Sequence, residues 1–244
     1  RASAITRVDR LRAFESLNVP PVATLSHATV IRLGQLVRAS HVIVGAFEQS
    51  EGVLRVRARA IRLDTGRIQP EVSIEGPLGD ILNIYARIAR QLTGATGATV
   101  EEIEKGQPPL AAFEQYIKGV LAESPATKLG YLQEAVEIHP PFQRARLAQW
   151  EVYTEQGEHQ RALAVAHQVP AGHPQGRHAR FLAATSLISL RQYDEAFAAL
   201  AELNRQKPDP AILNNIGIIQ LRRKTTVPRA SHYFGEASKL DPED

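Results

Sequence analysis

The feature that most constrains this chain is a regular beat in its second half. Pro140, Pro174, Pro208 and Pro242 follow one another at intervals of 34 residues. Five residues before each Pro stand Ala135, Val169, Leu203 and Ala237. Eight before stand Leu132, Ala166, Leu200 and Phe234. Twelve before stand Lys128, Ala162, Ala196 and Ala230. Eleven of these twelve are apolar, so the register belongs to packed helices and not to Pro alone. Small residues at such positions let two helices approach closely. Pro lacks an N–H and clashes with the preceding turn, so it closes each unit. A period in this range marks an array of repeated supersecondary units, each unable to bury its apolar face alone.

The clearest copy runs Arg191-Gln192-Tyr193-Asp194-Glu195-Ala196-Phe197, with Leu200 and Pro208 beyond. Tyr153, Gln156-Gly157, Ala162 and Pro174 repeat the pattern before it. Asn215-Ile216-Gly217, Ala230, Phe234, Ala237 and Pro242 repeat it after. These residues resemble the tetratricopeptide repeat, a helix–turn–helix unit of about 34 residues. The resemblance implies about four repeats over 109–244, at 109–140, 141–174, 175–208 and 209–242. Each would have its second helix stopped by its Pro. Three departures stand out. Trp150 occupies the position of Ala184 one repeat later, so the second repeat's first helix must pack differently there. The first repeat carries Lys128 in place of Ala. The fourth has one extra residue between Gly217 and Ala230, with a basic turn over 222–229. The ending Lys239-Leu240-Asp241-Pro242-Glu243-Asp244 reads as a helix stop followed by an acidic helix start.

Composition bounds the rest. The 244 residues are 43% hydrophobic and 23% charged, which suits a globular protein and excludes a disordered or collagen-like one. No apolar run approaches the ~20 residues of a membrane-spanning helix. There is no Cys, so disulfides, thiol nucleophiles and Cys-based zinc sites are excluded. There is also no Met, and the chain starts at Arg1. That reads either as a start downstream of the natural N-terminus, with any signal peptide out of view, or as omitted Met residues. Charge is uneven. Residues 1–95 hold 13 Arg against 8 Asp and Glu, a net of +5; the remainder holds 16 basic and 18 acidic groups, a net of −2. Thr93-Gly94-Ala95-Thr96-Gly97-Ala98-Thr99 is small and polar, which places a linker over 96–108.

Before that linker the pattern changes from helical to alternating. Val8 to Phe14 has helical spacing and Pro20-Pro21 breaks it. Ser26 can cap a second helix with Val30, Ile31, Leu33, Leu36 and Val37 on its apolar side. His41 to Phe47 reads as a strand and Ser50-Glu51-Gly52 as a turn. Val53 to Leu63 alternates, with Leu54, Val56, Ala58 and Ala60 on one face and Arg55, Arg57 and Arg59 on the other. Asp64-Thr65-Gly66 is a second turn, Arg67 to Ile74 a third strand, and Gly79 to Gln91 a helix. This predicts an α+β unit, a three-stranded sheet with helices, ahead of an all-α hairpin array. Residues 36–47, 54–59 and 63–67 resemble the TolB/FlgO-like N-terminal domain, which implies such a domain over 1–95. That family begins with a further strand and helix, which implies an N-terminally incomplete domain here.

Chemistry-bearing motifs are sparse. P-loop, G-x-G-x-x-G, G-x-S-x-G and H-E-x-x-H patterns are absent, so no enzymatic activity and no cofactor are expected. His167, His173 and His178 surround one loop without ligand spacing and read as surface or packing residues. Glu101-Glu102 and Asp194-Glu195 sit at helix starts, where they suit the helix dipole. By the tetratricopeptide resemblance, the first helix of each pair lines a concave groove that holds a peptide. Its inner-face positions here are Arg144, Leu147, Glu151 and Glu155, then His178, Phe181, Thr185 and Ile188, then Asn214, Ile218 and Leu221. The same residues can equally be inter-helix core. The expected function is a non-catalytic scaffold for a protein or peptide, in a bacterial assembly that the resemblance places in the envelope or periplasm. The alternative is nucleic-acid or acidic-partner binding through Arg55, Arg57, Arg59 and Arg62. The absence of an interleaved aromatic weighs against single-stranded nucleic acid. A further alternative is a regulatory module of a larger chain.

Overall fold

A computed structural model describes residues 7–20, 25–94, 107–223 and 227–240. The chain divides into two compact units, residues 1–107 and 108–244. The expected linker over 96–108, the Glu101-Glu102 pair, part of the turn over 222–229 and the acidic end after Leu240 lie largely or wholly outside the described residues.

The first unit runs α1 (Arg7–Ser16), α2 (His27–Leu36), β1 (His41–Ser50), β2 (Val53–Arg62), β3 (Val72–Pro77) and α3 (Ile81–Thr93). The Ser26 hydroxyl caps α2 by accepting from the Thr29 N–H at 3.2 Å. The three strands form an antiparallel sheet in chain order. Ser50 pairs with Val53, leaving Glu51 and Gly52 as the two turn residues, both at positive φ (50° and 79°). That turn's twist matches the twist of the strands, and Gly supplies one of its two left-handed positions without strain. The alternation of β2 then decides the layers. Leu54, Val56, Ala58 and Ala60 are buried with Ile74 of β3 against Ile84, Ile88 and Leu92 of α3. These three Ile and Leu recur every four residues, which puts them on one stripe of the helix.

The third strand differs from its expected span. Ile68 only bridges Ile61, and regular pairing resumes at Val72 and runs to Pro77. Pro70 lies between; it has no N–H to donate, so the ladder breaks there. The following helix begins at Ile81, after one tight turn over Leu78–Asp80, and not at Gly79. In α2, Leu33 is buried, but Leu36 is exposed and Val37 caps the helix end instead of continuing it.

Among its described residues the second unit holds eight helices in four consecutive pairs: α4 (Leu110–Leu121) with α5 (Pro125–Ile138), α6 (Gln143–Glu155) with α7 (His159–His167), α8 (Gly176–Ser189) with α9 (Tyr193–Gln206), and α10 (Pro210–Arg222) with α11 (Val227–Leu240). Each helix packs on the next. Ser124 and Asp209 cap α5 and α10 through their side chains, with Pro125 and Pro210 at the first helical turn. Those caps and prolines satisfy or remove N–H groups that would otherwise be orphaned. Arg177 donates to the carbonyls of Leu203 (2.8 Å) and Lys207 (2.7 Å), which serves the C-terminal end of α9. Arg223 pairs with Asp194 and lies over the Phe197 ring, 5.1 Å from its centroid. That ties the end of α10 to the start of α9.

One helix ends early. α7 stops at His167 and not near Pro174, because Pro170 interrupts the helix and the residue before a Pro avoids helical geometry. Val169 nevertheless stays buried, with Leu147, Ala179 and Leu182. Trp150 fills this region. It packs on the same cluster, and its indole N–H donates to the Ser186 hydroxyl at 2.9 Å.

Candidate functional site

The first helices of the last three pairs, α6, α8 and α10, carry the expected groove residues. Their burial shows how they correspond. Ala179, Ala183, Ala184, Ser186 and Leu187 of α8 are buried, and so are Ile212, Ile216, Gly217, Ile219 and Gln220 of α10. The offset is 33 residues, one fewer than the period of the prolines, and the extra residue before Ala230 restores it. Gly217 therefore stands in the place of Ala184. It has to be small: a Cβ there would sit 2.5 Å from the Phe234 ring.

On that alignment the expected residues fall into levels. Arg144 and His178 are at the first turn of their helices, and both are exposed. Leu147, Phe181 and Asn214 form the next level. Leu147 is 6% exposed and belongs to the core. Phe181 is half-buried and packs against both the α6–α8 cluster and the α8–α10 cluster. Asn214 is half-buried. Glu151, Thr185 and Ile218 come next. Glu151 is exposed, the Thr185 hydroxyl donates to the Phe181 carbonyl at 3.1 Å, and Ile218 is 37% exposed. Ile188, half-buried, and Leu221, 49% exposed, form the last level with Thr154 of α6, and Glu155, exposed, lies one residue beyond it, in register with Ser189 and Arg222. The structure thus keeps Arg144, Glu151, Glu155, His178, Ile218 and Leu221 open, and gives Leu147, and much of Phe181 and Ile188, to packing.

Electrostatics separate the two ends of this surface. Burial raises the Glu151 carboxyl above its ordinary range, Glu155 raises it further, and Lys128 of α5 opposes both. Burial lowers the His178 imidazole, which favours its neutral form.

The Arg-bearing strand of the first unit is a different surface. Arg55 pairs with Glu75 of β3 (2.8 Å), Arg57 with Glu48 of β1, Arg59 with Glu71 (3.8 Å) and Arg62 with Asp64 (2.6 Å). Each cation is answered by a carboxylate on a neighbouring segment. The positive charge of these four Arg is therefore largely cancelled at this face, and the net +5 of residues 1–95, which already counts those carboxylates, lies elsewhere. Glu48 and Glu75 are cross-strand neighbours, which alternation alone does not identify.

Among the described residues, no group of three or more His, Asp or Glu is placed to hold a metal ion. No helix among them is long and apolar enough to cross a membrane. His167 ends α7, His173 lies in the following loop, and His178 is in α8.

Residues 153–214 match the family model described as Tetratricopeptide repeat. The stretch runs from the end of α6 through α7, α8 and α9 into α10. With the four packed helix pairs, this makes the chain an α+β unit followed by an all-α, tetratricopeptide-type hairpin array. No curated protein matches the chain. Among solved structures, MamA (residues 41 to the end) from Desulfovibrio magneticus RS-1 is similar at 16% identity, over 66% of this chain and 85% of that one, with a TM-score of 0.49. MamA of MSR-1 is similar at 15% identity, over 67% and 92%, with a TM-score of 0.48. YrrB, described as a TPR protein with an unusual peptide-binding site, is similar at 18% identity, over 61% and 77%, with a TM-score of 0.45.

Proposed function

We propose that this protein is a non-catalytic scaffold that binds a protein or peptide on the face formed by α6, α8 and α10. The observation that carries the reading is that α6 and α10 hold open side chains, Glu151 and Glu155 on one and Ile218 and Leu221 on the other, on either side of half-buried Thr185 and Ile188 of α8. Two large apolar residues, Ile218 and Leu221, stay accessible there. Apolar anchors bordered by polar groups are what a peptide-binding surface needs. Half-buried Asn214 can donate and accept a hydrogen bond toward a peptide backbone. The repeats at 109–140, 141–174, 175–208 and 209–242 supply the scaffold. The TolB/FlgO-like resemblance of residues 1–95 supports a second docking surface within a bacterial assembly.

The test is a comparative pull-down with mass spectrometry from a bacterial extract. Wild type is compared with an Ile218→Ser/Leu221→Ser variant of unchanged thermal stability. A partner held by wild type and lost by the variant supports the reading; partners that all survive the variant contradict it at these residues. The alternative through Arg55, Arg57, Arg59 and Arg62 is weakened by their four ion pairs. It predicts a steep loss of affinity with salt.

A further inference from the structure

Glu151 and Glu155 are placed where a helix disfavours them. They lie one turn apart on α6, a spacing at which like charges repel. Glu155 is the last residue of α6, at the negative end of the helix dipole, where cations and not anions are stabilising. Glu151 is exposed, and partial desolvation with the Glu155 charge raises its carboxyl. Neither has an ion-pair partner among the described residues; Lys128 acts on Glu151 only from beyond ion-pair distance. Glu202 and Glu236 are answered within one turn by Arg205 and Lys239, whereas Glu134 and Glu137 of α5, like Glu151 and Glu155, have no ion-pair partner among the described residues. A site where local choices work against the fold is where function is expected.

The neighbouring helices add a second, separate observation. At the level of Glu151 α10 presents exposed Ile218; one residue before the level of Glu155, α8 and α10 present half-buried Ile188 and exposed Leu221, and Arg222 of α10 stands at the level of Glu155 itself. An uncompensated anionic edge therefore borders an open apolar strip. At the other end of the same helices, about 10 Å away at ~1.5 Å per residue, Arg144 is exposed, has no ion-pair partner among the described residues, and would repel a cation.

Resting on the groove reading above, we propose that the partner is a peptide segment in which a Lys or Arg is flanked by large apolar side chains. The cation docks between the Glu151 and Glu155 carboxylates, and the apolar side chains cover Ile188, Ile218 and Leu221. Binding replaces a carboxylate repulsion by two charge-assisted hydrogen bonds, and Arg, with its planar fork, fits two acceptors better than Lys. Charge of one sign at one end and the other sign at the opposite end also sets the direction in which the segment lies.

The test uses the whole chain and two sets of synthetic dodecapeptides, read by fluorescence anisotropy. Both sets carry the same Leu and Phe spacing; one places Arg or Lys between them, the other Glu. The basic set is expected to bind and the acidic set not to. Glu151→Gln/Glu155→Gln is expected to weaken the basic set by about tenfold, the scale of one charged interaction, with unchanged thermal stability or a gain. Ile218→Ser/Leu221→Ser is expected to weaken it too. If both sets bind alike, if only the acidic set binds, or if the Gln variant binds the basic set undiminished, the proposal is overturned. The groove reading survives that result if the Ser variant still loses binding. If neither set binds wild type, the proposal fails. If binding ignores the Ser variant as well, the groove reading falls with it.

Discussion

The Trp150 indole N–H reaches the Ser186 hydroxyl across two repeats, at 2.9 Å. Ser186 is 2% exposed, and its hydroxyl donates onward to the Leu182 carbonyl at 3.2 Å. A large aromatic occupies a position where the next repeat has Ala184, and it packs against the cluster of Leu147, Val169, Ala179 and Leu182. Its one polar atom finds a partner on α8. Ser186→Ala strands a partly buried donor and is expected to cost about 1–2 kcal/mol, read from the urea midpoint. A double-mutant cycle with Trp150→Phe should show a coupling near 1 kcal/mol. An unchanged midpoint for Ser186→Ala would mean that the bond contributes nothing.

Gly217 is a packing glycine. Gly217→Ala places a methyl 2.5 Å from the Phe234 ring, so the α10–α11 pair must shift. Overpacking of this kind costs about 1–3 kcal/mol, and thermal unfolding should fall accordingly. Retention of the wild-type midpoint would show that Phe234 can rotate away freely.

Arg191 and Gly157 occupy the same turn one repeat apart, both at positive φ (60° and 75°). Only Gly takes that conformation without strain. Arg191→Gly is therefore expected to stabilise the protein, by about 0.5–1 kcal/mol. A destabilised variant would show that the Arg191 side chain does more than complete the turn.

The Glu151 carboxyl carries a pH signature. Its folded pKa is raised, by burial first and by Glu155 second. The folded state therefore holds the proton more tightly than the unfolded one, and ionisation lowers stability as pH rises from the ordinary Glu range upward. Glu151→Gln should raise the melting temperature at pH 7 and leave it unchanged at pH 3. Removal of the like-charge pair alone is worth about 0.2–0.5 kcal/mol. A Gln variant less stable at pH 7 would mean that the interaction with Lys128 outweighs both effects.

Much of this architecture is legible in the residues because it rests on periodic signals. The 34-residue beat marks the hairpins, and the alternation from Leu54 to Ala60 marks the buried face of the sheet. What escapes is set by non-local partners. Pro174 marks the repeat boundary, but Pro170, which looks incidental in the sequence, ends α7. The Arg ladder of β2 looks like a free basic face until Glu48, Glu71 and Glu75 arrive from neighbouring segments. Leu147 and Ile218 both read as groove residues on spacing alone. Only packing separates them, because Leu147 is covered by Trp150 and the α8 residues while Ile218 is not.

The measurement that bears most directly on the scaffold reading is the mapping of a bound partner onto the chain by backbone NMR shifts, with the basic dodecapeptide that binds most tightly as probe. The account predicts shifts concentrated at Glu151, Glu155, Ile188, Asn214, Ile218 and Leu221, with β1 to β3 unmoved. Shifts confined to the strand bearing Arg55, Arg57 and Arg59, with α6, α8 and α10 silent, would contradict it.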